Sequence, residues 1–147
     1  MSAIAVIPAR GGSKRIPKKN IRSFAGRPMI CHAIETARTS GLFNQIVVST
    51  DSDEIASISE SCGAIAPFRR PEDLCDDFTG VAPVLMHAIK EIEGCGREVT
   101  EACLIYATAP LLKPEILYRG LTLLREKKAD AVFSVTTFPA PVFRSLM

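Results

Sequence analysis

Between Pro8 and Arg27 the chain gathers the residue types that bind a charged ligand: Pro8-Ala9-Arg10-Gly11-Gly12-Ser13-Lys14-Arg15-Ile16-Pro17-Lys18-Lys19-Asn20. Adjacent Gly11 and Gly12 let successive backbone N–H groups turn toward one point, the arrangement of an anion nest. Ser13 adds a hydroxyl donor, and Arg10, Lys14 and Lys19 add the positive charge that neutralises a polyphosphate. Residues 1–34 carry seven Lys/Arg and no acid, whereas the remainder carries eleven Lys/Arg against sixteen Asp/Glu. The net charge of +2 conceals this asymmetry. A cluster so local indicates one anionic ligand site rather than a broadly basic surface. The alternative, a solvated basic turn, leaves seven positive charges with no balancing anion. The spacing matches neither G-x-G-x-x-G nor G-x-x-x-x-G-K-[ST], which excludes the usual dinucleotide and P-loop readings. A nucleic-acid groove is disfavoured as well: Phe24 is the single aromatic among the basic residues, and the rest of the chain is net acidic.

Such a loop needs a scaffold. Residues 3–7 form a continuous apolar run ending at Pro8, the pattern of a buried parallel strand. Pro28 then opens a helix with Met29, Ile30, Ala33, Ile34 and Ala37 on one face, closed by Ser40-Gly41. Residues 45–50 read as a second strand. Asp51-Ser52-Asp53-Glu54 resembles a helix start with an acidic first turn, and Gly63 ends that helix. Residues 64–66 predict a short third strand before Pro67. A third helix starts at Thr79 and turns Val81, Val84, Leu85, Ala88, Ile89 and Ile92 inward. Residues 102–106 predict a fourth strand, 114–128 a fourth helix and 131–136 a fifth strand. This β-α alternation calls for a parallel sheet with helices on both faces. In such sheets ligands bind at the carboxyl ends of the strands. Four loops meet there: 8–27, 51–54, 67–79 and 107–110.

The chain has 147 residues, 47% apolar and 23% charged, which fits one globular domain and argues against disorder. It contains no apolar run of membrane-spanning length and no charged leader before its first apolar run, so a cytoplasmic address is expected, without membrane association. Five cysteines, an odd number without C-x-x-C spacing, argue against a disulfide framework or zinc site and for five reduced side chains. His32 and His87 sit in apolar helical patterns and read as structural.

The run Ile7-Pro8-Ala9-Arg10-Gly11-Gly12-Ser13-Lys14, followed by Pro17, Lys19, Asn20 and Ile21, resembles the signature loop of the CMP-sialic acid synthetase family. The resemblance continues through Val47-Val48-Ser49-Thr50-Asp51, Arg70-Pro71-Glu72-Asp73-Leu74 and Asp76-Asp77-Phe78-Thr79-Gly80. It implies a Rossmann-like α/β fold of the nucleotide-diphospho-sugar transferase type, residues 1–147 forming a single domain, truncated at the C-terminus relative to the family. It also implies a reaction: CTP and an acidic nine-carbon sugar give CMP-sugar and pyrophosphate. Arg10, Lys14 and Lys19 are then the catalytic cations, and Gly11, Gly12, Ser13 and Asn20 hold the nucleotide. Arg70 corresponds to the family's nucleotide-facing arginine, its alternative being a surface residue beside Arg69. Asp77, Thr79 and Thr108 are further candidate contacts, with Thr79 equally placed as a helix cap, as is Asp51 for the second helix. The loop Tyr106-Ala107-Thr108-Ala109-Pro110 lacks the glutamine of sialic-acid-specific members and is more similar to the pseudaminic acid branch; an N-acylneuraminate enzyme and a CTP-binding unit without turnover are the alternatives. The resemblance further implies Mg²⁺, with its acidic ligand pair expected beyond residue 147, and a homodimer for the full-length form.

Overall fold

The computed structural model describes residues 2–137. Three strands form a parallel sheet in the order β4-β1-β5: β1 (Ala3–Pro8) at the centre, β4 (Gln45–Ser49) on one side and β5 (Glu101–Leu104) on the other. The register sets Val6 opposite Val47 and Leu104, so the three carboxyl ends open on one rim. β2 (Ser23–Phe24) and β3 (Arg27–Pro28) form a separate antiparallel ribbon inside the first loop. Its turn, Ala25-Gly26, has φ of 48° and 79°, the positive pair that a two-residue hairpin of the I′ kind demands.

Because side chains alternate along a strand, β1 feeds two cores. Ala5 and Ile7 face α1 (Met29–Ser40), α2 (Asp53–Ser61) and α4 (Pro114–Lys127), packing with Ile30, Ala33, Ile34, Val48 and Ile55. Ile4 and Val6 face α3 (Val81–Gly94), packing with Val47, Ala88 and Ile92. The expected helices on both faces are therefore present. α1 begins one residue later than expected, with Pro28 at its cap, and ends at Gly41 in the left-handed region (φ 65°), where glycine carries no Cβ penalty.

Three expectations fail. Residues 64–66 make only a bridge: Ile65 exchanges hydrogen bonds with Ile46 and Val48 at 2.8 Å, and Pro67, lacking an N–H, interrupts the ladder before a second bridge joins Thr50 and Arg69. The expected fifth strand at 131–136 is not formed. Val132, Phe133 and Val135 are exposed, and among the described residues no strand lies beside them to supply a ladder. The cysteines are not all reduced: Cys31 in α1 and Cys62 just after α2 are joined in a disulfide, while Cys75, Cys95 and Cys103 are free. Their spacing of 31 residues carries no signal, but α1 and α2 pack side by side and bring the two Cα atoms to 5.6 Å.

His32 and His87 both pack within the fold. His32 bonds the Phe24 carbonyl at 2.8 Å through Nε2, and His87 packs edge-on against Phe68. No helix among the described residues is long and apolar enough to cross a membrane.

Candidate functional site

The first loop leaves β1 under tight control. The Ala9 N–H donates to the Ser49 carbonyl at 3.0 Å, extending the β1–β4 ladder by one bond. Gly11 then runs against the start of α2. Its N–H donates to Asp51 Oδ1 at 2.7 Å, and a Cβ built on it would lie 3.1 Å from Ser52 Cβ. Glycine is required here by close approach rather than by backbone angle. Gly12 faces open space, and the Ser13 N–H turns back to the Gly11 carbonyl at 2.9 Å. Asn20 is buried in a short 3-10 turn, Lys19–Ile21, and its Nδ2 donates to the Arg10 carbonyl at 3.0 Å. Asn20 thus holds the loop's shape from beneath. Lys18 sits in the left-handed region and its ammonium spans both oxygens of Glu54 at 2.8 Å.

Arg10 and Lys14 converge on the loop that follows residue 70. Arg10 Nη1 donates to the carbonyls of Cys75 (3.1 Å) and Asp76 (2.8 Å), and Nη2 to Asp77 Oδ1 at 2.5 Å. Lys14 Nζ lies 2.6 Å from the other carboxylate oxygen, Asp77 Oδ2. Hydrogen bonds from Lys14 and Arg10 hold the Asp77 carboxyl down at about 2. Asp76, exposed as well, turns to the backbone of its own segment instead. Its Oδ1 accepts the N–H groups of Phe78 (2.9 Å) and Thr79 (2.5 Å), and the Thr79 bond, first among its causes, lowers its pKa.

Arg70 is buried, which removes the surface alternative. Its Nε donates to Ser49 Oγ at 3.1 Å, its Nη2 to the Ser49 carbonyl, and its own N–H to the Thr50 carbonyl at 2.9 Å. Burial lowers its pKa, opposed by the nearby Cys75 and Asp51. The guanidinium is thereby fixed at the carboxyl end of β4. Arg69, its neighbour, points outward to pair with Asp53.

Two cap assignments resolve. Ser52, not Asp51, caps α2, accepting from the Ile55 N–H at 3.4 Å; Asp51 serves Gly11. Gly80, not Thr79, precedes α3. Thr79 lies one residue too early, and its hydroxyl donates to the Asp73 carbonyl at 3.3 Å. Thr108 is exposed on the loop after β5, which opens on the same rim as the loops around Arg10 and Asp77. Among the described residues it makes no hydrogen bond to that cluster. The structure therefore gathers Arg10, Gly11, Lys14, Asn20, Arg70 and Asp77, leaves Gly12 open and Ser13 and Lys19 half-buried in the same loop, and sets Thr108 apart. Sequence reasoning missed Ser49 as the anchor of Arg70 and Glu54 as the partner of Lys18. Ser49 ends a β-branched run and reads as strand; its role shows only once β4 lies beside Arg70.

The described residues build no all-protein cage for Mg²⁺. Among the described residues no group of three or more His, Cys, Asp or Glu could hold a metal ion. Asp51, Glu54 and Asp77, the carboxylates against the first loop, are already engaged by the Gly11 N–H, by Lys18, and by Arg10 and Lys14. The expected ligand pair lies outside the described residues.

A parallel sheet with a basic Gly-Gly loop at the end of its central strand, and an arginine clamped beside it, defines an α/β protein of the nucleotidyltransferase type. The chain belongs to the cytidylyltransferase family, whose model matches residues 4–144. It is 39% identical over 145 residues to the pseudaminic acid cytidylyltransferase of Campylobacter jejuni (serotype O:2), covering 99% of this chain and 62% of that protein. It is 40% identical over 123 residues to the CMP-N,N'-diacetyllegionaminic acid synthase of Legionella pneumophila, covering 84% and 53%. Among solved structures it resembles CMP:2-keto-3-deoxy-manno-octonic acid synthetase complexed with CTP, with a TM-score of 0.70 and 25% identity over 88% of this chain and 49% of that one. The chain thus spans 62% or less of the length of these relatives.

Proposed function

We propose that this chain carries the nucleotide half of a CTP:nonulosonic acid cytidylyltransferase, with pseudaminic acid as the sugar. The observation that supports it best is the seating of one carboxylate between Arg10 and Lys14, one oxygen on each cation. That arrangement is complementary to an anionic group bridging the two side chains, and it lies where a phosphate of a bound nucleotide would meet the Gly11-Gly12 backbone. Family membership supplies the nucleotide, CTP. The Campylobacter jejuni relative, matched along 99% of this chain, supports the sugar.

In the reaction the anomeric hydroxyl of the sugar attacks the α-phosphorus of CTP. The new bond is sugar oxygen to α-phosphorus; the bond to the β-phosphate oxygen breaks; pyrophosphate leaves with its electron pair, and the hydroxyl proton passes to solvent or a base. The protein's task is positioning and charge stabilisation. Arg10, Lys14 and Lys19 neutralise the triphosphate and the pyrophosphate that departs. The Gly12 N–H and the Ser13 hydroxyl present donors to it, while Gly11 fixes the loop through its N–H on Asp51. Asn20 holds the loop through the Arg10 carbonyl, and Arg70 orients the end of β4 toward the nucleotide.

Pyrophosphate release, measured with CTP and either pseudaminic or N-acetylneuraminic acid, tests the reading. Faster release with pseudaminic acid is expected. Faster release with N-acetylneuraminic acid would move the protein to the sialic acid branch, and release independent of any sugar would contradict the transfer.

A further inference from the structure

Asp77 is an acid in a place that suits a phosphate. Its two oxygens take one cation each, Arg10 at 2.5 Å and Lys14 at 2.6 Å, so both charges are satisfied by the protein itself. The segment that delivers it is built to keep its shape without that contact. Arg70 anchors its start to Ser49 and Thr50, the Cys75 N–H closes a turn on the Glu72 carbonyl at 2.9 Å, and Asp76 caps residues 78 and 79. Besides the Asp77 carboxylate, Arg10 Nη1 bonds to the Cys75 and Asp76 carbonyls, uncharged acceptors that do not compete with an anion as a carboxylate does. The contact is also half-exposed, with a third of the Asp77 side chain in solvent, so water and an incoming anion can reach it. Two open clefts elsewhere, one of about 290 Å³ beside Arg69 and one of about 310 Å³ beside Asn44, are not lined by Arg10, Lys14 or Asp77.

We propose that Asp77 is an internal competitor for the phosphate cations: its carboxylate occupies the place of a phosphate in the ligand-free protein and must leave Arg10 and Lys14 when a polyphosphate binds. This inference rests on the phosphate-loop reading and deepens it. Asp77 sets the affinity threshold of the site, because every anion that binds there is exchanged for a carboxylate rather than received by bare cations. It also prevents Arg10 and Lys14 from repelling each other while the site is empty. A ligand with one weak charge cannot displace it, whereas a triphosphate, which engages both cations and the Gly-Gly backbone together, can.

The test is calorimetric titration of the 147-residue protein with inorganic tripolyphosphate in metal-free buffer, and separately with CTP, ATP and GTP. Wild type, Asp77→Asn and Asp73→Asn are compared. Asp73→Asn removes the same charge from the same segment, and its carboxylate makes none of the contacts to Arg10 or Lys14 that Asp77 makes. Asp77→Asn is expected to tighten tripolyphosphate binding by about tenfold or more, the scale of one charge-assisted contact, against less than about threefold for Asp73→Asn. Equal effects of the two variants would reduce Asp77 to general repulsion and overturn the proposal. Weaker binding by Asp77→Asn would make Asp77 a ligand-supporting residue and overturn it too. No binding of tripolyphosphate by any of the three proteins would overturn the proposal and the phosphate loop together. Tightening by Asp77→Asn without preference for CTP over ATP and GTP would leave the competitor standing and remove the cytidine reading.

Discussion

The two ends of the described chain invert the usual relation between polarity and order. Residues 8–28 are basic, rich in glycine and mostly exposed, yet Ala9 fastens them to the end of β4, Gly11 and Lys18 to the start of α2, and Asn20 ties the loop to its own Arg10 carbonyl. Residues 131–137 are apolar and β-branched, the composition of a strand, yet they form none and expose Phe133 and Val135 by more than four-fifths. The difference lies in partners. The basic loop meets carboxylates and carbonyls contributed by α2 and the segment after Arg70. The apolar segment meets no strand edge among the described residues. Side-chain type states what a segment can bury or bind; position decides whether it does.

The largest effect is expected from removing core support beneath the loop. Ile34→Ala, at a fully buried position of α1, is expected to lower the unfolding free energy by about 2–5 kcal/mol in denaturant melts. A loss that small surface substitutions reproduce would mean that the sheet does not carry the loop. Next is Lys14→Ala. It should weaken CTP binding by about 1.5–3 kcal/mol, the scale of a hydrogen bond to a charged group, with melting nearly unchanged because the side chain is mostly exposed. Unchanged affinity by calorimetry would return Lys14 to a solvated turn.

Smaller effects sharpen the contrast. Gly11→Ala places a Cβ 3.1 Å from Ser52 Cβ. It is expected to cost about 1 kcal/mol of stability, at the low end of small-to-large substitutions, and to weaken CTP binding because the loop loses its anchor on Asp51. Phe133→Ser should change stability by no more than about 0.5 kcal/mol, as expected at a surface position. A larger loss would show that this segment is packed in solution. The smallest effect is the acid response of Asp77. Its folded pKa, about 2, lies below the ordinary aspartate value of 3.8, so its stabilising contribution is complete above about pH 4 and lost as pH falls through 2. Between pH 5 and 8 Asp77→Asn and wild type should therefore respond to pH alike, which paired melting curves will show.

Much of this was legible in the residues. The continuous apolar run of β1, the 3.6-residue spacing of α1 and α3 and the Gly41 stop all mark local structure that tertiary contacts then confirm. The basic loop was legible because its residue types have no other common use together. What stayed hidden depends on distant pairing. The Cys31–Cys62 bond and the Ser49–Arg70 clamp join positions whose proximity exists only after the helices and strands are stacked. The role of Asp77 was hidden for a different reason: an acid beside a candidate phosphate site reads as a nucleotide contact until its oxygens are seen on Arg10 and Lys14. The failed strand at 131–136 shows the converse, a correct propensity without a neighbour to satisfy its backbone.

We propose that the loop from Arg10 to Asn20 is the nucleotide-binding loop of a cytidylyltransferase. The most direct test titrates the 147-residue protein with CTP, ATP and GTP side by side in a calorimeter. CTP should bind tighter than the other two by at least about tenfold, or 1.4 kcal/mol, and that binding should weaken in Lys14→Ala. Equal affinity for all three nucleotides, or a preference for a purine, would contradict it.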